Sequence, residues 1–228
     1  MKRLLILFVV VFGLAPSIAQ ENRISQAIEF FNQKQYSLAQ SIFVKIDGET
    51  ALFYNAKCSK ELQSDDSKEL FLQLLNEYPF SLHYNDALSS LANIYFIDDD
   101  YVRAISFYLR IDGDLTDKQS FNLAYSYFQL DSLETAKYNF SKLLERDSDY
   151  QSASKYYFAH ISYQLKNYQS SLKWFNDLRN DKKFKNIVPY YIAQTYYFLE
   201  EYDELVEYLE PIINDVVESR RIEVNRLL

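Results

Sequence analysis

Few side chains in this sequence have the type and spacing that chemistry requires. His83 and His160 lie far apart in the chain, and neither belongs to an HExxH run. CxxC, GxSxG and a glycine-rich phosphate loop are absent as well. Cys58 is the single cysteine, so no internal disulfide can form. It is expected as a small, buried apolar residue, in the position that Phe30, Tyr95, Tyr127 and Tyr196 hold elsewhere. Asp112, Asp114 and Asp117 surround Gly113, but a calcium loop needs ligands at positions 1, 3 and 5, glycine at 6 and glutamate at 12. Here glycine comes second and no glutamate is twelfth, so a solvated helix cap is expected. The residues therefore nominate no catalytic group, no metal and no cofactor. Net charge is −8 for 228 residues, which disfavours nucleic acid and anionic membrane as partners, because both need a basic footprint. Aromatic residues are plentiful instead, with 21 Tyr and 17 Phe.

These rings lie on a repeating helical pattern. Lys118–Leu144 shows it best, with Phe121, Leu123, Ala124, Tyr127 and Phe128 at helical spacing. A break follows at Asp131-Ser132, then a second helical run through Leu133, Ala136, Phe140, Leu143 and Leu144. Thr116 and Gln119 are spaced as a capping box for the first helix. Two amphipathic helices joined by a tight turn make an αα-hairpin that exposes one apolar face when alone. Ala124 and Ala136 are twelve positions apart, one on each helix. Ala27/Ala39 and Ala92/Ala104 keep that interval, and Ala159/Ser171 and Ala193/Leu205 follow it more loosely. Small residues at both places let helix backbones approach closely. Each second helix opens on Tyr36, Tyr101, Leu133, Tyr168 or Tyr202, with Phe43, Tyr108, Phe140, Phe175 or Leu209 seven positions later. Residues 50–78 match this register least well. Gly48 is placed to take a positive φ past a helix end, Pro189 to start a helix, and Pro211 to kink one.

A helix–turn–helix period of about 34 residues is the tetratricopeptide repeat (TPR) signature. The chain resembles that family over about Glu21–Val216. The resemblance implies an all-α, right-handed α-solenoid of about six TPR hairpins over residues 20–216. Residues 217–228 are expected to begin a further, incomplete repeat. In the family, first helices line a concave groove at set offsets from the small residue. Carried onto this chain, those offsets select Asn93, Phe96, Phe121, Tyr125, Phe128, Tyr156, His160, Tyr163, Tyr190, Gln194 and Tyr197. The rings either grip a partner segment or pack against the neighbouring repeat. The groove lacks the Lys/Arg clamp that some TPR modules use for peptide C-termini. Four cations between Arg179 and Lys185 are expected to solubilise a turn and complement the preceding helix end.

Met1-Lys2-Arg3, the apolar run Leu4–Leu14, Pro16 and Ser17-Ile18-Ala19 read as a secretory signal peptide over residues 1–19. Its removal leaves a net charge of −10 (22 cations against 32 carboxylates). The residue directly after the cleavage point is Gln20 and not cysteine, so no lipoprotein anchor is expected. The segment Glu77–Leu109 resembles TPR proteins of the bacterial envelope, the outer-membrane assembly lipoproteins and the Tol–Pal coordinators. The chain is thus expected to be a non-enzymatic scaffold, periplasmic or otherwise exported. Its partner would be another protein, with no nucleic acid and no membrane span after cleavage. The alternative is an N-terminal sensory or accessory domain of a longer envelope protein.

Overall fold

A computed structural model of the chain describes residues 20–211. The expected leader and the expected start of a further repeat at 217–228 lie outside the described residues. Those residues form twelve helices and no strand. They are α1 (20–32), α2 (Tyr36–Phe43), α3 (Glu49–Glu61), α4 (Ser67–Glu77), α5 (Tyr84–Ile97) and α6 (Tyr101–Tyr108). After these come α7 (Asp117–Gln129), α8 (Leu133–Ser141), α9 (Gln151–Gln164), α10 (Tyr168–Asp177), α11 (Val188–Phe198) and α12 (Tyr202–Leu209).

The chain divides into two compact units. Unit 1 holds residues up to Asp98 together with Ser106–Asp112, and unit 2 holds Asp99–Ile105 and the residues from Gly113 onward. In unit 1, α2 packs on α3, α3 on α4 and α4 on α5, and in unit 2 each helix from α7 to α11 packs on the next. Packing between elements close in sequence is the mark of repeat architecture.

All ten positions of the small-residue register are buried. Ala27, Ala39, Ala92, Ala104, Ala124, Ala136, Ala159, Ser171 and Ala193 have no exposed surface, and Leu205 has 1%. The large residue that follows on each second helix is equally buried, from Phe43 through Tyr108, Phe140 and Phe175 to Leu209. Small and large side chains therefore alternate along one helix face, so neighbouring helices approach at the first and interlock at the second.

Every first helix ends in the same way. Lys34, Gln63, Asp99, Asp131, Lys166 and Glu200 all adopt φ between 55° and 61°, each two residues past the end of its helix. Paired backbone bonds close the end: Lys166 N–H donates to Tyr163 C=O (2.9 Å) and Asn167 N–H to Ser162 C=O (2.7 Å). The same pair recurs after α1, α3, α7 and α11. This is the Schellman arrangement, which satisfies carbonyls left open at a helix end. Glycine is the usual residue there, yet none of the six is glycine.

The capping box is present: Thr116 is the N-cap of α7, and its backbone N–H donates to Gln119 Oε1 at 2.8 Å. Pro189 falls in the first turn of α11.

Three expectations need correction. Gly48 does take φ 123°, but as the N-cap of α3 and not directly past α2, which ends at Phe43. Pro211 lies in a turn after α12, so it kinks no helix among the described residues. In residues 50–78 the small first-helix residue is Ala56, seven before Gln63, as Ala27 is seven before Lys34. Ser59, not Cys58, thus matches Phe30, Tyr95, Tyr127 and Tyr196. The second-helix partner of Ala56 is Ser67, which precedes Phe71 as Ala136 precedes Phe140. That interval is eleven, not twelve, because α4 begins at Ser67 and lacks the opening turn that other second helices have. A five-residue turn, 62–66, replaces it.

Cys58 remains fully buried, and burial above all raises its thiol to about 11. It stays protonated near neutrality and is a poor nucleophile.

Candidate functional site

In unit 2, the first helices α7, α9 and α11 bring nine of the nominated residues onto one face. Asn93 and Phe96 belong to α5 in unit 1, where Tyr108 Oη donates to Asn93 Oδ1 at 2.9 Å. Sites three before, one after and four after the small residue project together because those spacings share one side of a helix.

Ring contacts run continuously across the face. Phe121 stacks on Tyr125 (6.2 Å between centroids), and Tyr125 contacts Phe128 (6.3 Å). Phe128 meets His160 edge-on at 6.1 Å, and His160 stacks on Tyr156 at 6.0 Å. Two residues outside the nominated set join the rows: Tyr157 touches Tyr125 (5.3 Å) and Phe128 (5.2 Å), and Tyr191 touches His160 (5.3 Å) and Tyr163 (5.9 Å). Both sit two positions before the small residue. The sequence signal for them was the double tyrosine at 156–157 and 190–191. Phe184, in the loop before α11, stacks on Tyr156 at 4.7 Å.

Hydrogen bonds fix three nominated side chains. Tyr163 Oη donates to Gln194 Oε1 (3.1 Å), and Gln194 Nε2 donates to Tyr190 Oη (2.8 Å). Burial, reinforced by the phenols of Tyr168, Tyr190 and Tyr191, pushes Tyr163 up to about 12. Burial likewise pushes Tyr157 up to about 12. These hydroxyls are neutral donors at ordinary pH. Most of the set is half-buried, so the rings pack on one another and still present an edge or face outward. Tyr197 is exposed (40%), beside exposed Phe198 and Tyr202. Tyr101 reaches Tyr125 at 6.2 Å, and its hydroxyl donates to Asp99 Oδ1 at 2.6 Å.

The equivalent sites of unit 1 carry what the sequence register missed. With Ala56 as the small residue, the offsets select Phe53, Lys57 and Lys60. The Lys57 ammonium lies over the rings of Phe31, Phe53 and Tyr54 at 4.9, 5.3 and 5.5 Å. His83 stacks on Phe53 at 4.3 Å. The first-helix face of unit 1 thus carries cations, unlike the nominated positions of unit 2.

The aspartates around Gly113 serve local structure. Asp117 pairs with Arg146 at 2.8 Å, and the backbone of Asp112 exchanges bonds with the Asn85 side chain (3.0 and 3.1 Å). Among the described residues no group of three His, Cys, Asp or Glu is gathered for a metal. In the basic loop, Arg179 lies over the Tyr208 ring at 5.2 Å. Asp181 is held below the ordinary carboxylate range: burial pushes it up, but bonds from Ser152 and from the Lys183 and Phe184 backbones, with the Lys183 charge, outweigh that.

The chain has the tetratricopeptide-repeat fold. No family model and no curated protein matches its sequence. Solved structures do. MamA of AMB-1 is 15% identical, with a TM-score of 0.63 over 73% of this chain and 93% of that one. A tetratricopeptide repeat protein from Parabacteroides merdae ATCC 43184 is 15% identical, with a TM-score of 0.58 over 91% of this chain and 84% of that one. PilF of Pseudomonas aeruginosa is 15% identical, with a TM-score of 0.56 over 92% and 97%.

Proposed function

We propose that this protein is a non-enzymatic scaffold that holds a segment of a protein partner against the aromatic first-helix face of unit 2. One observation carries the reading: three first helices present a continuous field of rings, and its hydroxyls are fixed by Tyr163–Gln194–Tyr190 bonding. Rigid aromatic residues with a polar handle supply contact area at low entropic cost. Binding follows from a preformed surface, without turnover. The leader-like first 19 residues support an exported, cell-envelope location. No described helix is long and apolar enough to cross a membrane.

A photo-crosslinking residue in place of Tyr197 tests the face, with the same residue at Tyr138 as control, since Tyr138 is exposed on the second helix α8. A partner captured from position 197 and not from 138 is the expected result. Equal capture from both, or from 138 alone, would overturn it. N-terminal sequencing of the native protein tests export, with Gln20 expected as the first residue. A second reading, an accessory domain of a longer envelope protein, makes the same demand of the face and differs in a transcript that continues beyond Leu228.

A further inference from the structure

We infer that the segment held on this face is basic, an extended peptide that brings lysine or arginine to the carboxylates of the turn after α11 and the first turn of α12. The inference rests on the proposed use of the face. Its nominated positions in unit 2 are Phe, Tyr, His and Gln, with no lysine or arginine and no carboxylate. Ring faces carry negative potential and attract cations within about 6 Å of the centroid. The chain applies the same chemistry to its own cations, with Lys57 over three rings, Lys137 over Phe158 and Arg179 over Tyr208.

Charge beyond the two ends of α11 gives the segment a direction. Val188 through Pro211 contains no lysine or arginine. At the C-terminal end of α11, Glu200, Glu201, Asp203 and Glu204 flank the exposed rings of Tyr197, Phe198 and Tyr202. At the other end, the loop before α11 carries Lys182, Lys183 and Lys185. A basic residue of the partner is therefore drawn to the 200–204 turn and repelled from the 182–185 loop. An acidic peptide meets the opposite pattern, together with the −8 charge of the whole chain.

The test uses the full chain and three labelled synthetic peptides of equal length on one proline–alanine framework, bearing lysine/arginine, serine or glutamate at the same positions. Fluorescence anisotropy at low and high salt reads binding. The basic peptide is expected to bind, and its affinity to fall with salt. Glu200→Lys with Asp203→Lys should lower that affinity about tenfold, and Tyr197→Ala with Tyr202→Ala about fivefold. Circular dichroism checks that each variant stays helical. Equal, salt-independent binding of the serine peptide overturns the basic inference and leaves the face reading standing. Basic-peptide binding that survives the tyrosine changes and is lost with the charge reversals overturns the face reading. Failure of all three peptides to bind overturns the inference.

Discussion

A left-handed residue closes each first helix, and in this chain it is always a residue with a side chain. Lys34, Gln63 and Lys166 hold φ near 60°, where a Cβ crowds the backbone, at a cost of about 1 kcal/mol relative to glycine. Lys166→Gly should therefore raise stability by about 1 kcal/mol in urea denaturation, because the Schellman bonds need the backbone angle and not the side chain. Gly48 sits at φ 123°, ψ 163°, a region open to little but glycine, although a Cβ there would meet nothing within 4 Å. Gly48→Ala should destabilise by about 1–3 kcal/mol from backbone strain alone. On the candidate face, Tyr163→Phe removes the donor to Gln194 and keeps the ring. A loss of about 1 kcal/mol is expected, with helicity unchanged. Truncating Tyr125 removes contacts with Tyr101, Phe121, Phe128 and Tyr157, so Tyr125→Ala mixes folding with binding. Tyr197, being exposed, is the cleaner probe.

At the scale of the element, the hairpin is set by a small residue on one helix meeting a small residue on the next. Ala124 and Ala136 share a core cluster with Phe140 and Ile161 and have no exposed surface. Ala124→Leu inserts three carbons where helix backbones approach, and should cost about 1–3 kcal/mol or displace α8. Thermal melting followed by circular dichroism reads it. Ser171→Ala, at the matching site on α10, should be neutral or mildly stabilising, since it removes a buried hydroxyl that has no hydrogen-bond partner. The second hairpin departs from the pattern because α4 lacks its first turn, which shortens the interval between Ala56 and Ser67 to eleven.

Over the whole molecule, the pH range of stability follows from a few shifted groups. Tyr157, Tyr163 and Tyr208 are raised from 10 to about 12, mainly by burial, so the folded state holds these protons more tightly than the unfolded chain. Their contribution is complete below pH 10 and is lost as pH rises toward 12. Tyrosinate absorbance and helicity should therefore change together in that window. Asp181 is shifted down, so its contribution is present above its unfolded value and is lost on acidification through the lower folded value. Phe80 and Leu82 are 98% and 92% exposed, on a loop tied by Ser81. Phe80→Ser with Leu82→Ser should leave stability within about 0.5 kcal/mol of the parent by urea titration.

The recurring interval between small residues determined the helical hairpins by itself, because helix contact distance depends on side-chain size at a few positions. Ala27, Ala124 and Ala193 could be found that way without coordinates, and the capping box at Thr116 is equally local. Only the tertiary structure placed Ala56 and Ser67 in register, since the longer turn at 62–66 and the later start of α4 nearly cancel, changing the interval by one residue and leaving hydrophobic spacing almost intact. The same limit hid Tyr157 and Tyr191: spacing shows which side of a helix a ring occupies, but packing against the next helix decides whether it is covered or left on the face.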